Sequence, residues 1–174
     1  MDASAFGDRA AVVAAQRGDE RALERILTQL AHELLPLALA LTGGSGDADR
    51  LVGDCLSRVY ERLGQLERPE AVVGWARQIL VHLFLDERRW RLRRPVCSIE
   101  AVPVASADAP RAELVDLREA VRRLPRADRA LLVLHYWQGF SIAECAQELG
   151  IPDGTAKSRL SAALERLRRR MEAP

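Results

Sequence analysis

The chain has few cysteines and histidines, and none is spaced like a metal site or a disulfide pair. Its three cysteines, Cys55, Cys97 and Cys145, are odd in number and far apart, and its three histidines are isolated. A disulfide framework or a zinc site is therefore not expected, and the sequence fits a reducing compartment. We expect each cysteine to be a small buried apolar side chain. No metal and no cofactor are expected.

Long hydrophobic runs are also missing. The longest apolar run, residues 34–41, has the sequence LLPLALAL. It is far shorter than the roughly 20 residues needed to cross a bilayer as a helix. The N-terminal MDASAFGD lacks the basic and then apolar order of a secretory signal. The sequence therefore predicts a cytoplasmic protein with no membrane insertion.

Aromatic residues make up only 5% of the chain, and no alternating strand pattern occurs. Leu, Ala and Val dominate the apolar residues, and they recur at spacings of three and four, which predicts an all-α fold. Asp19 is the expected N-cap of the segment that follows it, whose apolar residues run from Ala22 to Leu34. Pro36 is a point where this helix can bend or break. The predicted helical segments are residues 10–42, 47–63, 75–94, 113–123, 126–137, 141–149 and 153–171.

Residues 95–110 contain no lysine or arginine and show no helical periodicity. The segment is rich in Pro, Ala, Val and Ser, a composition typical of an extended linker between domains. We therefore predict two small helical domains. Their order is a flexible N-terminus at 1–9, a first domain at 10–94, a linker at 95–111 and a second domain, with a helix-turn-helix, at 112–174.

Positive charge is concentrated rather than abundant. The formal net charge is only +1, yet arginines cluster at residues 88–94 and again at 166–170. Lys157 is the only lysine, and we attribute this bias mostly to GC-rich coding. Two basic clusters on a nearly neutral chain suggest local contact with a polyanion, although such runs are usually just solvated.

The stretch ELGIPDGTAKSRL, residues 148–160, ends one helix and starts another. Ser141 and Glu144 predict a capping box at the start of the first helix, and Gly150 predicts its end. The second helix has an apolar stripe on one face and Lys157 with small polar side chains on the other. This pattern predicts a helix-turn-helix whose last helix can enter a DNA major groove. The alternative is an ordinary helical hairpin with a solvated charged face.

Residues 124–171 closely resemble region four of bacterial RNA polymerase sigma factors of the extracytoplasmic-function (ECF) type. The resemblance rests on Leu124-Pro125, Gly139-Phe140-Ser141, Leu149-Gly150 and the run GTAKSRL from Gly154 to Leu160. It implies that the last helix recognises the promoter −35 element while the other side of the domain sits on the polymerase flap. The residues that it assigns to DNA are Thr155, Lys157, Ser158, Arg159, Ser161 and Arg168.

The N-terminal half resembles region two of the same family, less closely. Residues 47–60 are similar to the helix that binds the polymerase clamp, and residues 74–94 to the helix that recognises and melts the −10 element. The resemblance assigns clamp binding to Asp47, Asp49, Leu51, Asp54 and Arg58. It assigns −10 and upstream DNA contacts to Trp75, Gln78, His82, Arg88, Arg89 and Arg91. For Trp75 the spacing itself favours a structural role over base stacking.

The sequence departs from the family pattern at four positions. Arg50 stands where an acid is usual and Gly53 where Gln is usual, which alters the expected clamp-binding face and adds a helix-weakening glycine. His82 replaces the usual Asn near the strand-separated bases, and Ala162 replaces an Arg that is common on the recognition helix. Polymerase affinity and base preference therefore cannot be carried over from the family.

The resemblance implies a sigma factor, which lends promoter recognition to polymerase and is not an enzyme. The expected partners are core RNA polymerase through its clamp and flap, double-stranded and melted promoter DNA, and an anti-sigma factor; the free chain is expected to be a monomer. Two alternatives stay open, namely a helix-turn-helix regulator that works without polymerase and a sigma-like protein that has lost initiation. An enzyme is least favoured, because the sequence shows no nucleophile–base pair, metal-ligand spacing or phosphate-binding loop.

Overall fold

The regular elements of the computed structural model, which describes residues 9–86, 117 and 119–172, are all helical. This agrees with the predicted all-α class. Residues 117 and 119–122 are helical, and a π turn at Val133–Trp137 continues α5. The main helices are α1 Arg9–Gln16, α2 Glu20–Thr42, α3 Ser45–Arg62, α4 Val72–Leu85, α5 Arg126–Leu132, α6 Ile142–Leu149 and α7 Asp153–Glu172.

The first predicted helix, residues 10–42, is two helices. Helix α1 ends at Gln16, and Asp19, which is extended, becomes the N-cap of α2. Its carboxylate accepts hydrogen bonds from the Arg21 and Ala22 N–H groups, both at 3.0 Å. The predicted cap is therefore confirmed, while the prediction of one uninterrupted segment is wrong. Helix α2 continues through Pro36.

Helices α1 to α4 form the N-terminal half around a leucine-rich core. Helix α2 packs on α1, α3 and α4, and α3 packs on α4. Each fully buried leucine or phenylalanine contributes about 1.5–3 kcal/mol relative to an exposed one. The largest side chains in this core are Leu30, Leu34, Leu37, Leu41, Leu51, Leu80 and Phe84, all at most 2% exposed.

Helix α4 is shorter at its C-terminal end than predicted. It begins at Val72 and ends at Leu85. Asp86 is not helical, so the prediction of a helix at that residue is wrong, and residues 87–94 of the predicted segment lie outside the described residues. In a longer helix the Phe84 carbonyl oxygen would accept from the N–H group four residues on. Here it accepts from Arg126 Nη1 at 2.9 Å. The predicted DNA contacts Arg88, Arg89 and Arg91 and the predicted linker 95–111 lie outside the described residues.

The C-terminal half contains the predicted helix-turn-helix. The Glu144 N–H group donates to Ser141 Oγ at 3.2 Å, and the Ser141 N–H group donates to Glu144 Oε2 at 2.8 Å, so the capping box is confirmed. Gly150 ends α6 in the left-handed conformation, with φ of 63°. Its N–H group bonds to carbonyl oxygens of the last turn of α6. Helix α7 then runs from Asp153 to Glu172, as expected.

The two halves pack against each other. Helix α5 contacts α2 and α4, and α6 contacts α4. One hydrophobic cluster contains side chains of both halves, including Leu41 and Phe84 from the first and Leu131 and Leu134 from the second. The C-terminal half therefore rests on the C-terminal ends of α2 and α4.

Two of the three cysteines are buried free thiols, as predicted. Cys55 and Cys145 are both inaccessible. Burial raises the pKa of Cys55 to about 12. Burial also raises the pKa of Cys145, and the charges of Glu144 and Glu148 add to the effect. Both thiols stay protonated and unreactive at neutral pH. Cys97 lies outside the described residues.

Candidate nucleic-acid interface

Helix α7 is held by small buried side chains. Ala156, Leu160 and Ala163 are at most 6% exposed and belong to the stripe that packs on α5 and α6. Alanines at two of these positions let the helices approach closely. The turn that precedes α7 is fixed by the Ile151 N–H group, which donates to the Ala146 carbonyl oxygen at 3.0 Å. The opposite face of α7 is directed outward.

The residues predicted to contact the −35 element all lie away from that buried stripe. Ser158 Oγ donates to the Thr155 carbonyl oxygen and Ser161 Oγ to the Lys157 carbonyl oxygen, both at 3.1 Å. These hydroxyls therefore keep close to the helix and offer acceptor lone pairs outward. Of the predicted set, Lys157, Ser158, Arg159, Ser161 and Arg168 are exposed and Thr155 is half-buried.

The basic run at the end of α7 is partly neutralised. Arg166 forms an ion pair with Asp128 of α5, whose side chain is only 10% exposed. Arg169 lies 3.3 Å from Glu165. The first pair ties the middle of α7 to α5 and was missed from the sequence, where Asp128 looks like an ordinary first-turn acid. The run therefore supplies less free positive charge than its composition indicates.

The outward stripe of α4 contains Gln78 and His82, both exposed, with half-buried Trp75 beside them. His82 Nδ1 bonds to the Gln78 carbonyl oxygen at 2.8 Å, so Nδ1 carries the proton. That leaves Nε2 as the ring nitrogen available to a partner. Trp75 packs against the core, which supports the structural role favoured by its spacing.

The C-terminal half borders this stripe, a proximity that the sequence did not reveal. The Arg77 guanidinium carbon lies 5.9 Å from the centre of the Phe140 ring. Glu148 of α6 is half-buried and interacts with the charges of His82 and Arg77 on α4. Burial raises the pKa of Glu148 by more than the two cations lower it. The predicted −10 face and the helix-turn-helix are therefore neighbours.

The predicted clamp-binding face lies on α3. Asp47 and Asp49 are exposed, and Asp54 and Arg58 are half-buried, with Arg58 paired to Glu61 at 3.7 Å. Leu51 does not belong to this surface. It is 2% exposed and packs in the core, because it falls on the apolar stripe of α3.

Among residues 9–86, 117 and 119–172, no three His, Cys, Asp or Glu side chains are grouped to hold a metal ion. No helix in this part of the chain combines the length and apolar character needed to span a bilayer.

The chain is also similar in sequence to known proteins. Residues 114–167 match the family model described as Sigma-70, region 4. The chain is 33% identical over 153 residues to ECF RNA polymerase sigma factor SigM of Mycobacterium tuberculosis, covering 87% of this chain and 78% of that protein. It is 31% identical over 159 residues to ECF RNA polymerase sigma factor SigL of the same species, covering 86% and 89%.

Solved structures also share the fold. The sigma factor RpoE of Bartonella quintana, solved in complex with the anti-sigma factor NepR, matches with a TM-score of 0.64 and 27% identity over 86% of this chain and 96% of that one. CnrH, solved with the cytosolic domain of CnrY, matches in fold with a TM-score of 0.62 and 21% identity over 94% and 96%. Because the similarity to SigM and SigL spans most of each protein, this chain belongs to the family of ECF RNA polymerase sigma factors.

Proposed function

We propose that this chain binds core RNA polymerase in the cytoplasm and directs initiation at promoters that carry its −10 and −35 elements. The observation that carries the proposal is the outward face of α7, which is polar, basic and presented by a capped helix-turn-helix. The chain contributes recognition and no chemistry of its own. We divide it into a region-two-like domain at 10–94, a linker at 95–111 and a region-four-like domain at 112–174.

Recognition of the −35 element is assigned to the first half of α7. The N-terminus of a helix offers unpaired amide groups and positive dipole to phosphate. Lys157 and Arg159 add full charges there, and the short side chains of Ser158 and Ser161 allow close approach to the groove. Each phosphate contact of this kind adds about 0.9 to the slope of affinity against salt on logarithmic axes. Arg168 is assigned to the DNA backbone along the outgoing helix.

Recognition of the −10 element is assigned to the stripe of α4 that contains Gln78 and His82. With Nδ1 bonded to the Gln78 carbonyl oxygen, His82 has only Nε2 left to offer a base, whereas the amide usual in relatives offers both a donor and an acceptor. We therefore expect a base preference at this position that differs from those relatives. Trp75 supports α4 from the side of the core. Arg88, Arg89 and Arg91 are assigned to upstream duplex DNA by resemblance alone.

Polymerase binding is assigned to the exposed face of α3, with Asp47, Asp49, Asp54 and Arg58 as its contacts to the clamp. The C-terminal domain would contact the flap. RpoE of Bartonella quintana was solved with an anti-sigma factor, and we propose a partner of that class for this chain as well. Without a partner the chain is proposed to be a monomer.

The test is run-off transcription with core polymerase from a GC-rich bacterium and a pool of genomic promoters, followed by sequencing of transcript starts. We expect new starts that share −10 and −35 elements. The double charge reversal Asp47→Arg/Asp49→Arg should abolish them, while Glu24→Arg, at an exposed acid of α2, should not. Duplex binding with neither polymerase binding nor starts would favour a plain helix-turn-helix regulator. Polymerase binding without starts would favour a sigma-like protein that has lost initiation.

A further inference from the structure

Two arginines of the C-terminal half cap the C-terminal ends of two helices in the N-terminal half. Arg129 Nη1 donates to the carbonyl oxygens of Leu41 at 2.8 Å and Thr42 at 3.4 Å, at the end of α2. Arg126 Nη1 donates to the Phe84 carbonyl oxygen at 2.9 Å, at the end of α4. The last carbonyl groups of a helix lack partners within it and carry its negative dipole. Both contacts are therefore favourable and directional.

The Phe84 ring lies beneath the same two guanidinium groups. Their central carbons are 5.2 Å (Arg126) and 5.7 Å (Arg129) from the ring centre. Phe84 itself is 1% exposed, so the ring is anchored in the core of the N-terminal half. Cation–π contacts of this geometry are favourable, and more so where water is excluded.

A third arginine closes over the end of α2. Gly43 ends this helix with φ of 74°. A Cβ atom placed on Gly43 would lie 2.1 Å from Arg122 Cγ and 2.6 Å from Arg122 Cδ. Gly150 has the same backbone conformation, yet a Cβ atom there would meet nothing within 4 Å. The Arg122 side chain thus lies so close over Gly43 that any side chain placed there would have to displace it. We call Arg122, Arg126 and Arg129 the arginine latch.

Two unfavourable effects, burial of charge and repulsion between like charges, oppose the contacts of the arginine latch. Burial lowers the pKa of Arg129, and the neighbouring charges of Arg126 and Arg122 lower it further. Among the described residues, Arg129 Nε is buried without a hydrogen-bond partner. The three guanidinium groups repel one another, which opposes the capping bonds, although Arg122 Nη1 is also paired with Glu119 Oε2 at 3.6 Å. Such a contact can form and still be released by a modest competing interaction.

The latched arrangement cannot reach both promoter elements. Elements centred near −10 and −35 are about 25 base pairs apart, or roughly 85 Å along the duplex at about 3.4 Å per pair. A compact body made of the described residues, 9–86, 117 and 119–172, has a radius of gyration of about 14 Å and a diameter of about 36 Å. The latch would therefore hold α4 and α7 within a body that is only about half as long as required.

We propose that the arginine latch holds the free protein in a closed state and that it must release before the −10 and −35 elements are bound together. This inference rests on the proposed function for its consequence and on the latch geometry for its existence. In the closed state the C-terminal half also lies beside Arg77 and His82 of the proposed −10 face. Release would free that face and let the two domains separate.

The experiment places a wedge at Gly43. Gly43→Asn keeps a residue that tolerates the left-handed conformation, so the helix cap survives while its side chain collides with Arg122. Small-angle X-ray scattering should give a near-compact radius for the wild type and a radius several ångströms larger for Gly43→Asn. In Gly43→Asn/Arg122→Ala the colliding atoms are gone and only an Arg122 Cβ contact at 3.5 Å remains, so the compact radius should return. Arg122→Ala alone is the matched control, and circular dichroism checks that all four proteins keep their helix content.

A single-round transcription assay measures how release of the arginine latch affects initiation. At limiting protein, Gly43→Asn should raise single-round transcript yield several-fold, because apparent affinity scales with the open fraction. The yields should converge at saturation. An expanded wild type, or a wedge without effect on the radius, would overturn the latch even with normal transcription. A wedge that expands the chain but leaves limiting yield unchanged would overturn its role in promoter binding. If the wild type starts no transcription on any promoter, the proposed function fails while the scattering result still decides the latch.

Discussion

The two helices proposed to contact promoter DNA differ in their surroundings. The polar face of α7 is exposed along its first three turns, and among the described residues Ser158 and Ser161 bond to carbonyl groups of their own helix. The polar stripe of α4 has Arg77, half-buried against Phe140, on one side and Glu148 near His82. The −35 helix is thus available in the closed state while the −10 helix is crowded. Under the proposed function, the helix-turn-helix would both recognise DNA and restrict the other recognition helix.

The largest effect on stability is expected from Phe84, which anchors α4 in the core of the N-terminal half. Phe84→Ala should lower the free energy of unfolding by about 3–5 kcal/mol, the usual cost of emptying a fully buried aromatic site. It removes core packing and the ring beneath Arg126 and Arg129 together. Chemical denaturation measures the loss.

The matched variant is Phe140→Ala, which removes the half-buried ring on the other side of the same boundary. It should lower the free energy of unfolding by clearly less than Phe84→Ala does, because the Phe140 ring keeps part of its solvent contact in the folded state. Equal losses would show that the boundary between the halves, rather than the core beneath α4, dominates stability.

An intermediate effect is expected on the open helix. Lys157→Ala and Arg159→Ala should each weaken binding to the −35 duplex several-fold and reduce the salt slope by about 1, as expected for phosphate contacts. Fluorescence anisotropy with the full chain at several salt concentrations measures both quantities. Arg62→Ala removes an exposed charge from the end of α3 and should change neither.

A loss of affinity with an unchanged salt slope would mean that the side chain contacts a base edge instead of a phosphate. Binding that resists both substitutions would place the recognition surface elsewhere on the C-terminal half. Either result would weaken the contrast between an open α7 and a crowded α4.

Local rules were enough to predict the open helix. The capping box at Ser141, the glycine at Gly150 and the span of α7 depend on contacts within a few residues, and the structure has all three. The sequence resemblance misplaced Leu51, although its apolar spacing already put it in the core. Periodicity within α3 was the better guide there.

Such local rules could not predict the contacts between the two halves. Arg126 and the Phe84 carbonyl group are 42 residues apart, and Arg129 and the Leu41 carbonyl group are 88 apart. Their acceptors are backbone groups, which carry no sequence signature. The early end of α4 was missed for the same reason, since one of its last carbonyl groups is bonded to a distant arginine.

The smallest effect is expected from pH, through Glu148. Burial raises the pKa of this carboxyl group in the packed structure, against the opposing charges of His82 and Arg77, and α4 supplies part of that burial. A raised pKa means that the packed state favours the protonated form. The closed state should therefore gain stability as pH falls toward the raised pKa and lose it as pH rises through it. Scattering radii measured between pH 7 and pH 5 should show a slight contraction.

Glu148→Gln mimics the protonated form, so the scattering radius of this variant should change less over the same pH range. At pH 7 the variant should be slightly more compact than the wild type. Expansion of the wild type on acidification would mean that attraction to His82 and Arg77 outweighs the cost of burying the carboxylate. Glu148 would then be a holding contact of the closed state, and the crowding of α4 would be electrostatic in origin. Contraction would instead show that Glu148 opposes closure at neutral pH, so that the arginine latch alone keeps the −10 helix crowded.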